Sequence, residues 1–165
     1  MARTTRPPSA AERWYRHGVE LVRAGRYHEA IEPLEQALAY SADEPDAPWA
    51  APLRSYYGLA VAFGRGELAR GRRLCEEATS GSTLRSDLFT NLAQIYLRQA
   101  RRRLAVEALI TALSLEPRDR LAWEMLAELG VRRPPVLRFL SRRHPINRAL
   151  GVVRHRIFGS SPPPP

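Results

Sequence analysis

Apolar residues recur along this chain at spacings of three and four, and small residues alternate with large ones at fixed intervals. In the segment from Ala11 to Ala42, Trp14, Gly18 and Leu21 share one helical face, and Ala30, Leu34, Ala37 and Leu38 share another. Gly25-Arg26-Tyr27 separates the two stretches, with glycine free to take the left-handed conformation that ends a helix. Sliding the segment by 75 residues brings Trp14 onto Phe89, Gly18 onto Ala93, Leu21 onto Tyr96, Ala30 onto Ala105, Leu34 onto Leu109, Ala37 onto Ala112 and Leu38 onto Leu113. A further slide of 34 carries Phe89 to Trp123, Leu92 to Leu126 and Ala93 to Ala127. Two antiparallel helices come close only where side chains are small, with large ones filling the gaps on either side. Gly18, Ala30 and Ala37 are therefore expected at close contacts, and Trp14, Leu21 and Leu34 between them as knobs. Pro117 is placed to stop the second helix of the later copy. The pattern predicts an all-α stack of helical hairpins.

A weaker copy lies between. Tyr57-Gly58 is expected to open its first helix, Gly66-Glu67-Leu68 to make its turn, and Gly71, Cys75 and Ala78 to mark its second helix. The interval from Gly58 to Gly66 is one residue longer than its counterpart from Gly18 to Gly25, which predicts a small bulge or a longer turn. Gly71 stands where alanine is expected, at a cost of up to about 1 kcal/mol in helix propensity. The preceding loop, Ser41 to Pro52, holds Pro45, Pro48 and Pro52, and Trp49 within it is expected to act as a lid over the edge of the array. Cys75 falls at a core position and is expected to be a buried apolar thiol.

Charge changes the picture only at one end. All 26 basic residues are arginine, and residues 130–165 carry 8 of them with no acid. After Gly130 the periodicity breaks at Arg132-Arg133-Pro134-Pro135. Ile146, Leu150, Val153 and Ile157 then recur on one face, with Arg148, Arg154, His155 and Arg156 off that stripe. Three roles stay open for this basic tail, which also includes Arg138, Arg142 and Arg143. It caps the exposed end of the array, lies on an anionic membrane surface, or contacts nucleic-acid phosphates.

The size-alternating hairpins resemble the tetratricopeptide repeat family. The resemblance rests on Trp14-x2-His17-Gly18-x2-Leu21 with Gly25-x-Tyr27-x2-Ala30-x3-Leu34-x2-Ala37. It returns in Phe89-x2-Leu92-Ala93-x2-Tyr96 with Ala105-x3-Leu109-x2-Ala112 and Pro117. It implies a helical-hairpin solenoid with a C-terminal capping segment, divided as a disordered N-terminus over 1–10, an array over 11–130, a basic helical cap over 131–158 and a disordered proline-rich tail over 159–165. The array is expected to hold three helix pairs and a truncated fourth. The resemblance also implies a concave face that grips a peptide or helix. Its positions map to Tyr15, Val19, Val22 and Arg23 in the first copy and to Ser55, Leu59, Ala62 and Phe63 in the second. They map to Thr90, Asn91, Gln94 and Arg98 in the third copy, and to Glu124 and Glu128 in the fourth. Such a groove suits an amphipathic or extended segment with some acidic character. Tyr15 and Val19 occupy positions where repeats that clamp acidic chaperone tails need basic and amide side chains, which argues against that role.

No phosphate-binding glycine loop, paired carboxylates or nucleophile-histidine signature accompanies these residues, so an enzyme is not expected, nor a metal or cofactor. No run approaches the length of a membrane span, and the start lacks a signal-peptide core. One cysteine suits a reducing cytoplasm. The sequence thus predicts a cytoplasmic, non-catalytic scaffold for a protein partner. The alternative is nucleic-acid or anionic-lipid binding through the tail.

Overall fold

The computed structural model describes residues 8–41, 47–81 and 84–130. Within them are seven α-helices: α1 (Ala10–Arg23), α2 (Tyr27–Ser41), α3 (Ala50–Gly64), α4 (Leu68–Ser80), α5 (Ser86–Arg98), α6 (Arg102–Leu115) and α7 (Arg120–Glu128). Successive helices pair as antiparallel hairpins, α1 with α2, α3 with α4 and α5 with α6, and α7 packs on α6 as half of a fourth. The architecture is an all-α hairpin solenoid.

The small residues stand where the helices meet. Ala30, Ala37, Ala93, Ala105 and Ala112 are fully or almost fully buried, and Leu34 and Leu109 fill the spaces beside them. Helix ends follow from local chemistry. Ser9 caps α1 by accepting the Glu12 N–H at 3.2 Å, and Asp119 caps α7 by accepting the Ala122 N–H at 3.0 Å. Gly25 and Gly66 close α1 and α3 at φ of 74° and 75°. The same place after α5 is taken by Ala100 at φ 57°, the one left-handed non-glycine residue among those described. α6 ends at Leu115, two residues ahead of Pro117.

Several expectations need correcting. Trp14 is no knob: it is 41% exposed, because no hairpin among the described residues covers that side. α3 begins at Ala50, so Pro52 lies in its first turn and is not part of a loop, and Tyr57-Gly58 lies in the middle of the helix and does not open it. Ser9 and Ala10 belong to the start of α1, so the N-terminal segment outside the array is shorter than residues 1–10; residues 1–7 lie outside the described ones. The extra residue of the middle copy sits in the closing turn of α3. There the Glu67 N–H reaches the Val61 carbonyl, six residues back, whereas Arg26 reaches Leu21 and Arg101 reaches Tyr96, five back. Trp49 is buried and lies over Tyr15, with ring centroids 6.1 Å apart. The segments 131–158 and 159–165 lie outside the described residues.

Candidate functional site

The first helices of successive hairpins join laterally into one face. Tyr15 of α1 meets the Tyr56 ring of α3 edge-on at 6.4 Å. Tyr56 donates its hydroxyl to Asp87 of α5 at 3.1 Å. The Thr90 hydroxyl of α5 lies 3.1 Å from the Asp119 carboxylate that caps α7. Toward the other ends of these helices, the Tyr27 and Phe63 rings stand 4.9 Å apart, and the Arg98 guanidinium sits over Phe63 at 5.4 Å. Between these two contact zones lies a concavity of about 360 Å³. Val22, Tyr27, Tyr56, Leu59 and Leu121 supply its apolar surface, and Arg23, Asp87, Thr90, Asn91, Gln94 and Asp119 its polar groups.

Of the positions expected to line a groove, Val22, Arg23, Leu59, Thr90, Asn91 and Gln94 border this concavity. The others are placed elsewhere. Val19 is buried in the core, and so is Ala62. Ser55 is fully buried and its hydroxyl is engaged internally: it accepts the Asn91 side-chain amide at 3.1 Å and faces the Cys75 sulfur at 3.9 Å. Its expected position in the groove wall is therefore corrected to the core behind that wall, where it orients Asn91. Tyr15 stacks under Trp49, and Phe63 and Arg98 pair at the far end. Glu124 is exposed and takes an ion pair from Arg120 at 2.7 Å, and Glu128 is exposed. Arg138, Arg142, Arg143, Arg148, Arg154 and Arg156 lie outside the described residues.

Tyr27, Tyr56, Asp87, Asp119 and Leu121 were not anticipated as wall residues. Two signals could have found some of them. Asp87 and Leu121 are separated by the 34-residue period itself, and Tyr56 precedes Asn91 by the same 35 residues that separate Gly58 from Ala93. The electrostatics are set by burial and by a few pairs. Burial, helped by Asp87, pushes the Tyr56 hydroxyl up to about 12. Its contact with Tyr56 holds Arg23 above the ordinary guanidinium value. Arg85 grips Asp87 with two hydrogen bonds of 3.1 and 2.7 Å, so that carboxylate is partly neutralised. Among the described residues lining the wall, Arg23 is the only cation. Behind the wall, burial pushes the Cys75 thiol up to about 12, which makes it inert while folded. Among the described residues no helix is long and apolar enough to cross a membrane.

Residues 11–44 and 86–119 match the family model for the tetratricopeptide repeat. Two solved structures share the fold. YrrB, a TPR protein with an unusual peptide-binding site, is similar at a TM-score of 0.55 and 21% identity, over 73% of this chain and 59% of YrrB. MamA is similar at a TM-score of 0.51 and 19% identity, over 74% of this chain and 70% of MamA. This chain thus spans less than two thirds of the YrrB chain. No curated protein matches it. Two segments of the chain thus match the tetratricopeptide repeat, and the molecule folds as a helical-hairpin solenoid of that kind.

Proposed function

We propose that this tetratricopeptide-repeat chain is a non-catalytic adaptor that holds an extended or helical segment of a partner protein against α1, α3 and α5. The observation behind the reading is the concavity of about 360 Å³, in which apolar walls meet the side-chain amides of Asn91 and Gln94. An amide group offers both donors and an acceptor, the set needed to match the backbone of a bound segment. Ser55 holds one Asn91 amide hydrogen, so the rest of that group is oriented before a ligand arrives. With Asp87 already held by Arg85 and Asp119 engaged in the α7 cap, little net charge is left in the wall, which favours a polar segment over the acidic one suggested by counting Arg23 and Arg98 together. A buried thiol suits a reducing, cytoplasmic setting. A second reading keeps the tail arginines Arg138, Arg142, Arg143, Arg148, Arg154 and Arg156 as contacts for nucleic acid or anionic lipid. The 8 arginines without an acid in residues 130–165 favour it.

Peptides selected from a displayed library on the full chain test the adaptor reading. Their affinity, measured by titration calorimetry, should fall about tenfold or more, roughly 1.4 kcal/mol, in Gln94→Arg and in Arg23→Glu. It should hold in Arg73→Gln, on the exposed side of α4. Selected peptides that bind the two wall variants as well as wild type would remove the concavity as the site. Loss confined to a variant with the tail arginines changed to Gln would move the function to the tail.

A further inference from the structure

The two long edges of the solenoid carry different charge. One edge is built from the turns inside the hairpins, residues 23–29, 64–70 and 98–103, which hold eight arginines and two acids. The other is built from the helix starts and the connections between hairpins. Its described segments 8–13, 47–50, 84–87 and 116–120 hold four arginines and four acids. The three inner turns form a continuous ridge. A methyl group at Gly64 would stand 2.8 Å from the His28 amide nitrogen, so the end of α3 abuts the start of α2. Arg98 reaches back over Phe63, and the Gln99 side chain donates to the Leu68 carbonyl at 3.3 Å, which seats the third turn on the second. Arg102 donates to the Leu129 carbonyl and joins the end of α7 to the same edge.

All eight arginines of this ridge are exposed: Arg23, Arg26, Arg65, Arg70, Arg98, Arg101, Arg102 and Arg103. Arg26, Arg65, Arg70 and Arg103 pair with Glu29, Glu35, Glu67 and Glu107. Exposed pairs of this kind are worth little, so a competing anion displaces them readily. Arg23, Arg98, Arg101 and Arg102 have no carboxylate within ion-pair distance among the described residues. The described chain ends at Gly130, on this same ridge, and the sequence continues from there into its acid-free stretch of arginines.

We propose that this ridge is a binding surface for the phosphodiester backbone of nucleic acid, with Arg98, Arg101, Arg102 and Arg103 as its densest part. The guanidinium fork matches phosphate oxygens, and neutralising successive phosphates is enough to drive association. The exposed large apolar residues, Trp14, Tyr40, Leu84, Ile110 and Leu121, all lie outside the three turns. A bilayer surface needs apolar side chains to enter the acyl boundary, and a protein interface needs buried anchors at its centre. The ridge supplies neither, whereas a phosphate polymer requires neither. The ridge adjoins the concavity at Arg23, Gly25 and Tyr27, but its densest part, Arg98 to Arg103, lies outside that lining and does not depend on the adaptor reading.

Fluorescence anisotropy of the full chain against labelled single-stranded RNA, single-stranded DNA and duplex DNA tests the proposal, and the three probes identify the source of phosphate. Wild type should bind at least one probe with steep salt dependence. The combined variant Arg98→Gln, Arg101→Gln, Arg102→Gln and Arg103→Gln should bind about tenfold or more weakly at low salt. Its slope of log affinity against log salt should flatten by roughly 0.7 to 0.9 for each phosphate left without its arginine. The matching four Arg→Lys changes should keep the slope, which separates charge from any effect on folding, and circular dichroism should show both variants folded. The proposal is overturned if the Gln variant binds like wild type while tail variants lose affinity. It is equally overturned if wild type ignores all three probes, with or without binding to vesicles containing phosphatidylserine.

Discussion

The outer hairpins match the repeat pattern closely, while the middle hairpin departs from it and is nonetheless the most deeply buried. Ten of the 15 residues of α3 are buried, against five of 14 in α1. Place in the stack, with neighbours on both sides, decides burial more than fidelity to the pattern does. The departures themselves have a packing cause. Where the third hairpin opposes Ala93 and Ala105, the middle one opposes Gly58 and Gly71. A methyl on Gly58 would stand 2.7 Å from the Gly71 carbonyl oxygen, and one on Gly71 would collide with the Gly58 carbonyl oxygen. These two helices meet backbone to backbone. The helix propensity that Gly71 gives up is the condition for that approach.

The most direct challenge to this contrast is Gly71→Ala. Helix propensity alone would stabilise the variant by about 1 kcal/mol, but forcing two backbones apart costs typically about 1–3 kcal/mol. Urea denaturation should show net destabilisation. Gly18→Ala in the first hairpin should cost less, since its methyl would meet the Leu34 side chain at 2.5 Å and not backbone. A stabilised Gly71→Ala would remove the close-approach account.

Ser55→Ala probes how the middle hairpin supports the candidate site. It strips the Asn91 amide of its internal partner, with an expected cost of about 1–3 kcal/mol in chemical denaturation. Any peptide bound through the Asn91 wall should weaken as well. Unchanged peptide affinity in a destabilised variant would mean that Ser55 serves stability alone.

The middle hairpin should also show the strongest alkaline response. The folded state holds Tyr56 protonated up to about 12, against an ordinary tyrosine value of 10. Above pH 10 the unfolded chain releases this proton while the folded chain keeps it. The stability contributed by Tyr56 is therefore complete below pH 10 and is lost as pH rises toward 12. Denaturant midpoints across that window should fall less steeply in Tyr56→Phe than in wild type. The Cys75 thiol, raised in the same direction from 9 to about 12, should react with a thiol reagent only as the chain unfolds.

The smallest expected effect concerns the turns. Gly25 and Gly66 hold the left-handed position in the first two hairpins and Ala100 holds it in the third. Ala100→Gly should relieve part of a strain of about 1–2 kcal/mol while loosening the unfolded chain, for a net gain of roughly 0.5–1 kcal/mol. A lower thermal midpoint in this variant would contradict it.

Much of this was legible in the order of residues alone. The three hairpins, the left-handed turn at Gly25 and the stop before Pro117 all follow from patterns within one or two helical turns. So does the buried thiol at Cys75. About half of the expected wall residues border the concavity, because repeat spacing carries helix register from copy to copy. The remainder were displaced by contacts that spacing does not encode. Trp14 has the size of a knob, but no hairpin among the described residues covers it. Ser55 has the position of a wall residue, but its hydroxyl turns inward to Asn91 and Cys75, contacts across 36 and 20 residues that spacing does not encode.

The hairpins, most of their ends and the small residues at their contacts were written into the order of residues; the start of α3, the exposure of Trp14 and the burial of Val19 and Ser55 were not. Helix periodicity and end chemistry act between residues a few positions apart, within reach of any short window. Which first-helix residues face one another across the stack was settled by packing in three dimensions. Tyr56 meets Asp87 across 31 residues and Thr90 meets Asp119 across 29, and both contacts depend on the rotation of one hairpin against the next. The arginine ridge has the same origin. Its members are scattered from Arg23 to Arg103 and become neighbours only because antiparallel pairing brings every inner turn to one edge.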